Sequence, residues 1–269
     1  MTLEAIIFDV DGTLAETEEL HRAAFNEAFA DAGLPWHWDV KAYRDLLRVT
    51  GGKERLRYFI GSLREGRATT PDEEALIGAL HRRKTSHYTD AVDAGGLSLR
   101  PGVRELIGAA RRDGIRLAIA TTTSGPNVES LIGAAFGCRP ADLFDAVAAG
   151  DCVRVKKPAP DIYHEVLARL RLPADRCVAI EDSEPGVRAA TDAGLATIAT
   201  PSLYSADDDF TRATCLADHL ERLASPCANA IRSTEEIGSG ILRALRGLHA
   251  RASRGMAASP PPGCSSVAP

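Results

Sequence analysis

An apolar run that stops on acid constrains this chain more than any other feature. In "EAIIFDVDGT" a short stretch with a β-branched pair reads as a buried strand, yet it ends at Asp9, and a second carboxylate follows at Asp11. Two acids that close repel each other, so the arrangement requires either open water or a cation. Which of the two applies depends on what the rest of the sequence brings to the same place.

From about residue 95 the chain alternates. A helix near Val103 to Arg112 leads through Gly114 into "RLAIAT", a helix near Asn127 to Ala135 precedes "DAVAAG", and one near Asp161 to Leu170 precedes "CVAIED". A last helix near Val187 to Ala193 gives way to "LATIAT". Such alternation implies parallel strands joined by crossover helices, a doubly wound α/β domain. Between about residues 15 and 95 no strand is expected. From Thr17 onward Leu20, Ala24, Phe25, Ala28, Phe29 and Ala32 recur at helical spacing until Gly33, and helices follow over 40–47, 53–60 and 71–88. The expected organisation is an α/β parallel-sheet core of residues 1–15 and 95–225, an inserted α-helical cap of residues 16–94, and a C-terminal extension, 226–269. In that extension Ser233 and Glu236 form a capping box, and Ile237, Ile241, Leu245 and Leu248 share a helical face. Either the helix docks on the core or, with Arg243, Arg246, Arg251 and Arg254, it is a basic membrane or partner helix. The closing "RGMAASPPPGCSSVAP" has the composition of a disordered tail.

Composition narrows the partners. The 269 residues carry a net charge of −5 with acids and bases interspersed, which argues against a nucleic-acid binder. No apolar run approaches membrane-spanning length, and no targeting segment is apparent. Six scattered cysteines without C-x-x-C spacing point to reduced thiols, not a zinc site or a disulfide framework. A soluble, cytoplasmic monomer is expected.

In open α/β sheets, ligands bind past the carboxyl ends of the strands, where strand order reverses. Read there, strand one delivers Asp9, Asp11, Gly12 and Thr13, and the next delivers Thr121, Thr122 and Thr123. "KKPAPD" follows the third, and Glu181 and Asp182 end the fourth. Several acids at one rim are costly without a cation, and an all-oxygen donor set without clustered His or Cys suits Mg²⁺ together with a substrate phosphate. A lysine and backbone N–H groups around Gly12 would complete a phosphate cradle.

"DVDGT", a hydroxyl after the second strand, "KPAPD" and "ED", in this order, resemble the four motifs of the haloacid dehalogenase (HAD) superfamily over about residues 4–225. "DVDGTLAETEELHRAAFNEAF", "TGGKER", "AIATTTS" and "KKPAPDIY" are similar, more narrowly, to the Cbb-type (CbbY-like) sugar-bisphosphate phosphatases found beside Calvin-cycle genes. The resemblance implies a Mg²⁺-dependent phosphatase acting on xylulose 1,5-bisphosphate. It implies Asp9 as nucleophile and Asp11 as general acid and base. It implies Mg²⁺ on Asp9, Asp182 and the Asp11 carbonyl, with Glu181 a further ligand or an orienting group. Thr121 and Lys157 would bind the transferring phosphate, Lys157 in preference to Lys156 because it directly precedes Pro158.

The cap would handle the remainder of the sugar. Gly51 and Gly52 allow close backbone approach, Lys53 can meet a second phosphate, and Tyr43 and Arg44 can support it. Glu16 and His21 stand at the crossing from core to cap, where they could bind sugar hydroxyls or steer Asp11; His21 could equally be a packing residue. A β-phosphoglucomutase-like phosphomutase would share every core motif and differ in the cap. A non-catalytic binding protein on this scaffold would show an eroded motif, and none is eroded.

Overall fold

The structure, a computed structural model, describes residues 2–64, 68–224 and 233–254. Strand β1 (Ala5–Phe8) is wholly buried because each face of it meets a different core. Ile6 and Phe8 enter one apolar cluster, and Ala5 and Ile7 enter another. That is why the run lacks the apolar–polar alternation of a half-exposed strand.

Four helices then follow without a strand: α1 (Glu18–Asp31), α2 (Val40–Leu46), α3 (Gly52–Ser62) and α4 (Pro71–Asp93). Their starts are written locally. The Asp39 carboxylate accepts from Ala42 N–H at the head of α2, and Thr70 and Glu73 cap α4 reciprocally with Pro71 in its first turn. These helices close on their own aromatic core, with Phe25, Phe29, Trp38, Tyr43, Leu56 and Leu80 buried together.

The chain returns through α5 (Val103–Arg112), β2 (Arg116–Thr121), α6 (Gly125–Phe136), the short α7 (Pro140–Leu143), β3 (Ala146–Ala149), α8 (Asp161–Leu170), β4 (Cys177–Glu181), α9 (Glu184–Asp192), β5 (Ala196–Ala199) and β6 (Cys215–Leu216). The sheet order is β3-β2-β1-β4-β5-β6, and every pairing is parallel. Phe8 pairs with Ile119 on one side and Ile180 on the other, so the switch in strand order falls between β1 and β4. Asp9 and Asp182 are the first residues past those two strands. The fold is the expected α/β parallel-sheet core with a helical insertion. Helix α7 and strand β6 were not foreseen; β6 is two residues on the sheet edge, too short for any periodicity to register.

Both connections between sheet and insertion meet at one point. Ala15 bridges Leu99 antiparallel, and Arg100 N–H donates to the Leu14 carbonyl at 2.8 Å. The Arg100 side chain then donates to the carbonyls of Gly12, Thr200 and Pro201 and pairs with Glu16 at 3.1 Å. One guanidinium thereby anchors the root of the insertion to the loops around β1 and β5.

Helix α10 (Thr234–Ala252) docks on the core. Ile241, Leu242, Leu245 and Leu248 are buried in the same cluster as Leu106 and Ile107 of α5. A Cβ on Gly238 would lie 2.2 Å from the Glu105 carbonyl, so glycine is what lets the two helices approach. Leu245→Ala is therefore expected to lower unfolding free energy by about 2–5 kcal/mol in urea titration, as for a fully buried leucine. The tail over 255–269, for which disorder was expected, lies outside the described residues. Among those described, no helix is long and apolar enough to cross a membrane. Cys138, Cys152 and Cys177 are free. Cys215 is disulfide-bonded, contrary to the expectation of reduced thiols, because pairing depends on proximity in the fold and not on spacing.

Candidate active site

Lys157 is the centre of the core side of the site. Its ammonium donates to Asp9 Oδ1 at 2.6 Å, to Glu181 Oε1 at 2.6 Å and to the Ala120 carbonyl at 2.9 Å. Asp9, Lys157 and Asp182 are 5–7% exposed, and Glu181 is wholly buried. Tyr163 of α8 also donates to Glu181 Oε1. Two glycines make the packing possible. A Cβ on Gly12 would stand 2.1 Å from Asp182 Oδ2, and one on Gly186 would stand 2.0 Å from Glu181 Oε2.

Three buried carboxylates thus cluster where one lysine reaches two of them. Burial pushes the Asp9 carboxyl up to about 8, with Lys157 opposing the rise and Glu181 adding to it. Burial, then Asp9 and Glu181, hold Asp182 well above the usual carboxylate range. Burial works against the Lys157 ammonium, but Asp9 and Glu181 outweigh it and hold the charge firmly. One lysine cannot balance three acids in a dry site. Asp9, Glu181 and Asp182 each offer an oxygen within 4.8 Å of the others, and Glu181 Oε2 has no hydrogen-bond partner. This is a buried acidic cluster of hard oxygen donors that fits a divalent cation.

Asp11 faces the helical insertion and has a different environment. Its Oδ1 accepts from Thr17 at 2.7 Å and from His21 Nε2 at 2.9 Å. The Lys84 ammonium donates to His21 Nδ1 at 2.7 Å, which leaves the imidazole proton on Nε2, facing Asp11. Burial raises the Asp11 pKa, but the hydrogen bonds from His21 and Thr17, with the nearby Lys84 ammonium, reverse this and hold the carboxyl well below its ordinary range. Burial lowers the Lys84 ammonium to about 8, and the same cause, helped by Lys84 and Lys53, takes His81 down to about 4.

A cavity of about 560 Å³ joins the two sides. Asp9, Asp11, Thr121, Lys157 and Asp182 line its floor; His21, Arg44, Gly52, Arg55, His81 and Lys84 line its cap side. Of the other expected site residues, Gly12, Glu16, Tyr43 and Lys53 do not line it. Gly12 does not cradle a ligand through its own N–H, which donates to the Ala15 carbonyl at 2.9 Å; its part is to make room for Asp182. Tyr43 has no exposed surface and stands behind the cavity wall, donating to Glu18. Lys53 points to the rim, where it pairs with Asp151 of the core at 2.7 Å. Glu16 is taken up by Arg100 and Leu203 N–H. Arg44 reaches the cavity but is held by Asp207 and the Leu203 carbonyl.

Sequence reasoning passed over Glu18, Arg55 and Lys84. Each is a charged residue in a helix, where a solvated face is the ordinary reading. The available signal was spacing: Glu18 and His21 lie one turn apart, and Arg55 lies one turn before Phe59, which packs on the aromatic core of the insertion.

The fold and this floor define a haloacid dehalogenase-like hydrolase: the model of that family matches residues 3–194, and the chain belongs to it. More narrowly, it is similar to Protein CbbY of Cereibacter sphaeroides, 50% identical over 221 residues, covering 82% of this chain and 94% of that protein. A crystal structure of a CbbY mutant from Rhodobacter sphaeroides in complex with xylulose-(1,5)bisphosphate superposes with TM-score 0.76 at 50% identity, over 81% of this chain and 95% of that one. CbbY from Rhodobacter sphaeroides in complex with phosphate gives TM-score 0.76 at 47% identity, over 89% and 99% of the two chains. This protein is accordingly an enzyme of the HAD phosphatase type, closely related to bacterial CbbY proteins.

Proposed function

We propose that this chain is a Mg²⁺-dependent phosphatase that hydrolyses xylulose 1,5-bisphosphate to xylulose 5-phosphate and inorganic phosphate. The observation that carries this reading is a single cavity with a cationic side chain toward each end. Lys157 stands beside Asp9 on the floor, and Arg55 and Lys84, 8% and 5% exposed, stand in the cap. A monophosphate needs one such end, and a bisphosphate uses both. The relatives bound to phosphate and to a sugar bisphosphate support the same assignment.

Asp9 and Asp182, with the Asp11 main-chain carbonyl, would hold the metal. The metal supplies positive charge against the phosphoryl oxygens and the like-charged nucleophile. Glu181 has one oxygen committed to Lys157 and Tyr163, which favours an orienting role for it. Lys157 and the Thr121 hydroxyl hold the transferring phosphate. The Asp9 carboxylate attacks phosphorus and the sugar oxygen departs with a proton from Asp11. Asp11 then removes a proton from the water that attacks the aspartyl phosphate, which regenerates Asp9. Thr17, His21 and Lys84 keep Asp11 ionised when the cavity is free of phosphate, and the arrival of a phosphate dianion raises its proton affinity for the first step. Residues 16–94 act as the cap over this chemistry, and residues 1–15 and 95–225 as its core.

A phosphate-release screen tests the reading. With Mg²⁺ present, kcat/KM for xylulose 1,5-bisphosphate is expected to exceed that for glucose 6-phosphate and fructose 1,6-bisphosphate by at least about tenfold. Chelation of the metal is expected to abolish release. Equal rates on all three sugars, or no release from any, would refute it.

A further inference from the structure

The loop that leaves β5, residues 200–208, touches both halves of the molecule. Its ends are fixed to the core: Arg100 donates to the carbonyls of Thr200 and Pro201, and the Asp208 carboxylate accepts from Glu184 N–H at the start of α9. Between those anchors the residues divide. Ser202 and Ser205 are buried beside Asp182, while Tyr204, Asp207 and the main chain of Leu203 meet the cap.

On the inward side, the Ser205 hydroxyl donates to the Asp182 carbonyl at 2.5 Å and accepts from Ser202 N–H at 2.9 Å, with the Ser202 hydroxyl 2.8 Å away as a second donor. One proton given and two lone pairs filled exhaust what a hydroxyl can do, so Ser205 is held in one orientation. The Asp182 carboxylate itself is held lightly, with the Thr13 hydroxyl 3.5 Å from Oδ1 and the Ser205 hydroxyl 3.5 Å from Oδ2. Its oxygens can meet a cation, and their aim is set by the main chain that Ser205 pins.

On the outward side, the Tyr204 hydroxyl donates to Glu19 Oε2 of α1 at 2.5 Å, and its ring meets the Tyr43 ring edge-on at 5.8 Å between centroids. Tyr43 in turn lies 5.9 Å from Trp38. Arg44 of α2 donates to the Leu203 carbonyl at 3.1 Å and pairs with Asp207 at 3.3 Å. Tyr204 and Ser205 are consecutive, so a displacement of the cap against Tyr204 reaches Ser205 within one residue.

We infer that this loop couples the cap to the metal site, with Tyr204 and Ser205 as positioning residues: the cap seats Tyr204, Tyr204 seats Ser205, and Ser205 aims Asp182 at the cation. This rests on the reading of Asp182 as a metal ligand. Linkage makes such a coupling reciprocal, so a cation that settles Asp182 must also bias the contact between Tyr204 and the cap.

Titration of the full chain with Mg²⁺ alone, followed by calorimetry and by tryptophan emission, tests this. Trp36 and Trp38 both belong to the aromatic core of the cap, so a change in their emission reports on the cap and not on the metal site. Wild type is expected to bind Mg²⁺ and to change its emission with the same midpoint. Ser205→Ala is expected to raise the Mg²⁺ Kd about tenfold, as for a lost orienting contact behind a metal ligand, and to lose the emission change. Ser205→Thr keeps the hydroxyl and is expected to restore most of both. Tyr204→Ala is expected to raise the Kd about threefold and to lose the emission change, although its hydroxyl is spent on Glu19. Tyr204→Phe keeps the ring, is the milder test of the same contact, and is expected to fall between Tyr204→Ala and wild type. Because both residues act along one path, the double alanine variant is expected to bind within about twofold of Ser205→Ala. Mg²⁺ binding to wild type without a change in emission overturns the inference. So does an emission change that Ser205→Ala and Tyr204→Ala leave intact, or a double variant that loses the product of the two single factors. Absence of Mg²⁺ binding to wild type would instead refute the metal-site reading, and the inference with it, so the two failures remain distinct.

Discussion

Asp9→Asn is expected to lower kcat for sugar-bisphosphate hydrolysis by at least about 10⁴-fold, the scale of removing a covalent nucleophile. An amide is nearly isosteric with the carboxylate and still accepts from Lys157, so the cavity should survive. Stability should move in the opposite direction. The Asp9 pKa is raised in the folded protein, so its ionised form costs folding energy near neutral pH whenever no metal balances it. Without metal, Asp9→Asn is therefore expected to melt at or above the wild-type temperature. Lost activity together with a lowered melting temperature would point to a structural aspartate, not a nucleophile.

Lys157→Met has the second-largest expected effect and the opposite stability signature. Among the described residues, it removes the one cation that pairs with Asp9 and Glu181. Breaking a buried pair from one side typically costs about 3–5 kcal/mol, because the partner charges are left uncompensated. Activity is expected to fall by about 10²–10³-fold through loss of a phosphate-binding cation. Because the deficit is an excess of negative charge, millimolar Mg²⁺ should restore part of the stability and little of the activity. Measured by denaturant titration with and without metal, a deficit that Mg²⁺ leaves untouched would show that the acids are not the cation site.

The core was far more legible in the sequence than the cap, and the reason is physical. A residue at the carboxyl end of a buried strand has its position fixed by the strand itself. Asp9 follows "AIIF" and Asp182 follows "CVAIE", and the parallel register of β1 with β4 brings them together. Lys157 lies on a loop, but with Asp9, Glu181 and the Ala120 carbonyl converging, its direction has little freedom. Cap residues sit on helices, where the face each side chain takes depends on how four helices pack. Tyr43 illustrates this. Its place in α2 is local, but the ring turns inward against Phe25 and Trp38, so the hydroxyl supports Glu18 from behind. Lys53 sits two residues past Gly51, yet the start of α3 at Gly52 swings it to the rim and Asp151. Gly12, around which backbone N–H groups were expected to meet a phosphate, has φ of +78° and spends its own N–H within the loop.

The helical insertion also concentrates both tryptophans, Trp36 and Trp38, and both lie in its aromatic core. Tryptophan-selective fluorescence therefore reports on that unit, whereas Tyr163 and Tyr204 lie outside it, and so probes the cap in each variant above.

The central claim is hydrolysis of a sugar bisphosphate, as opposed to transfer of its phosphate within the sugar. Phosphorus NMR of a complete reaction of xylulose 1,5-bisphosphate with Mg²⁺ and catalytic enzyme tests it most directly. One equivalent each of inorganic phosphate and xylulose 5-phosphate is the predicted result. A rearranged sugar phosphate without free phosphate, or unchanged substrate, would contradict it.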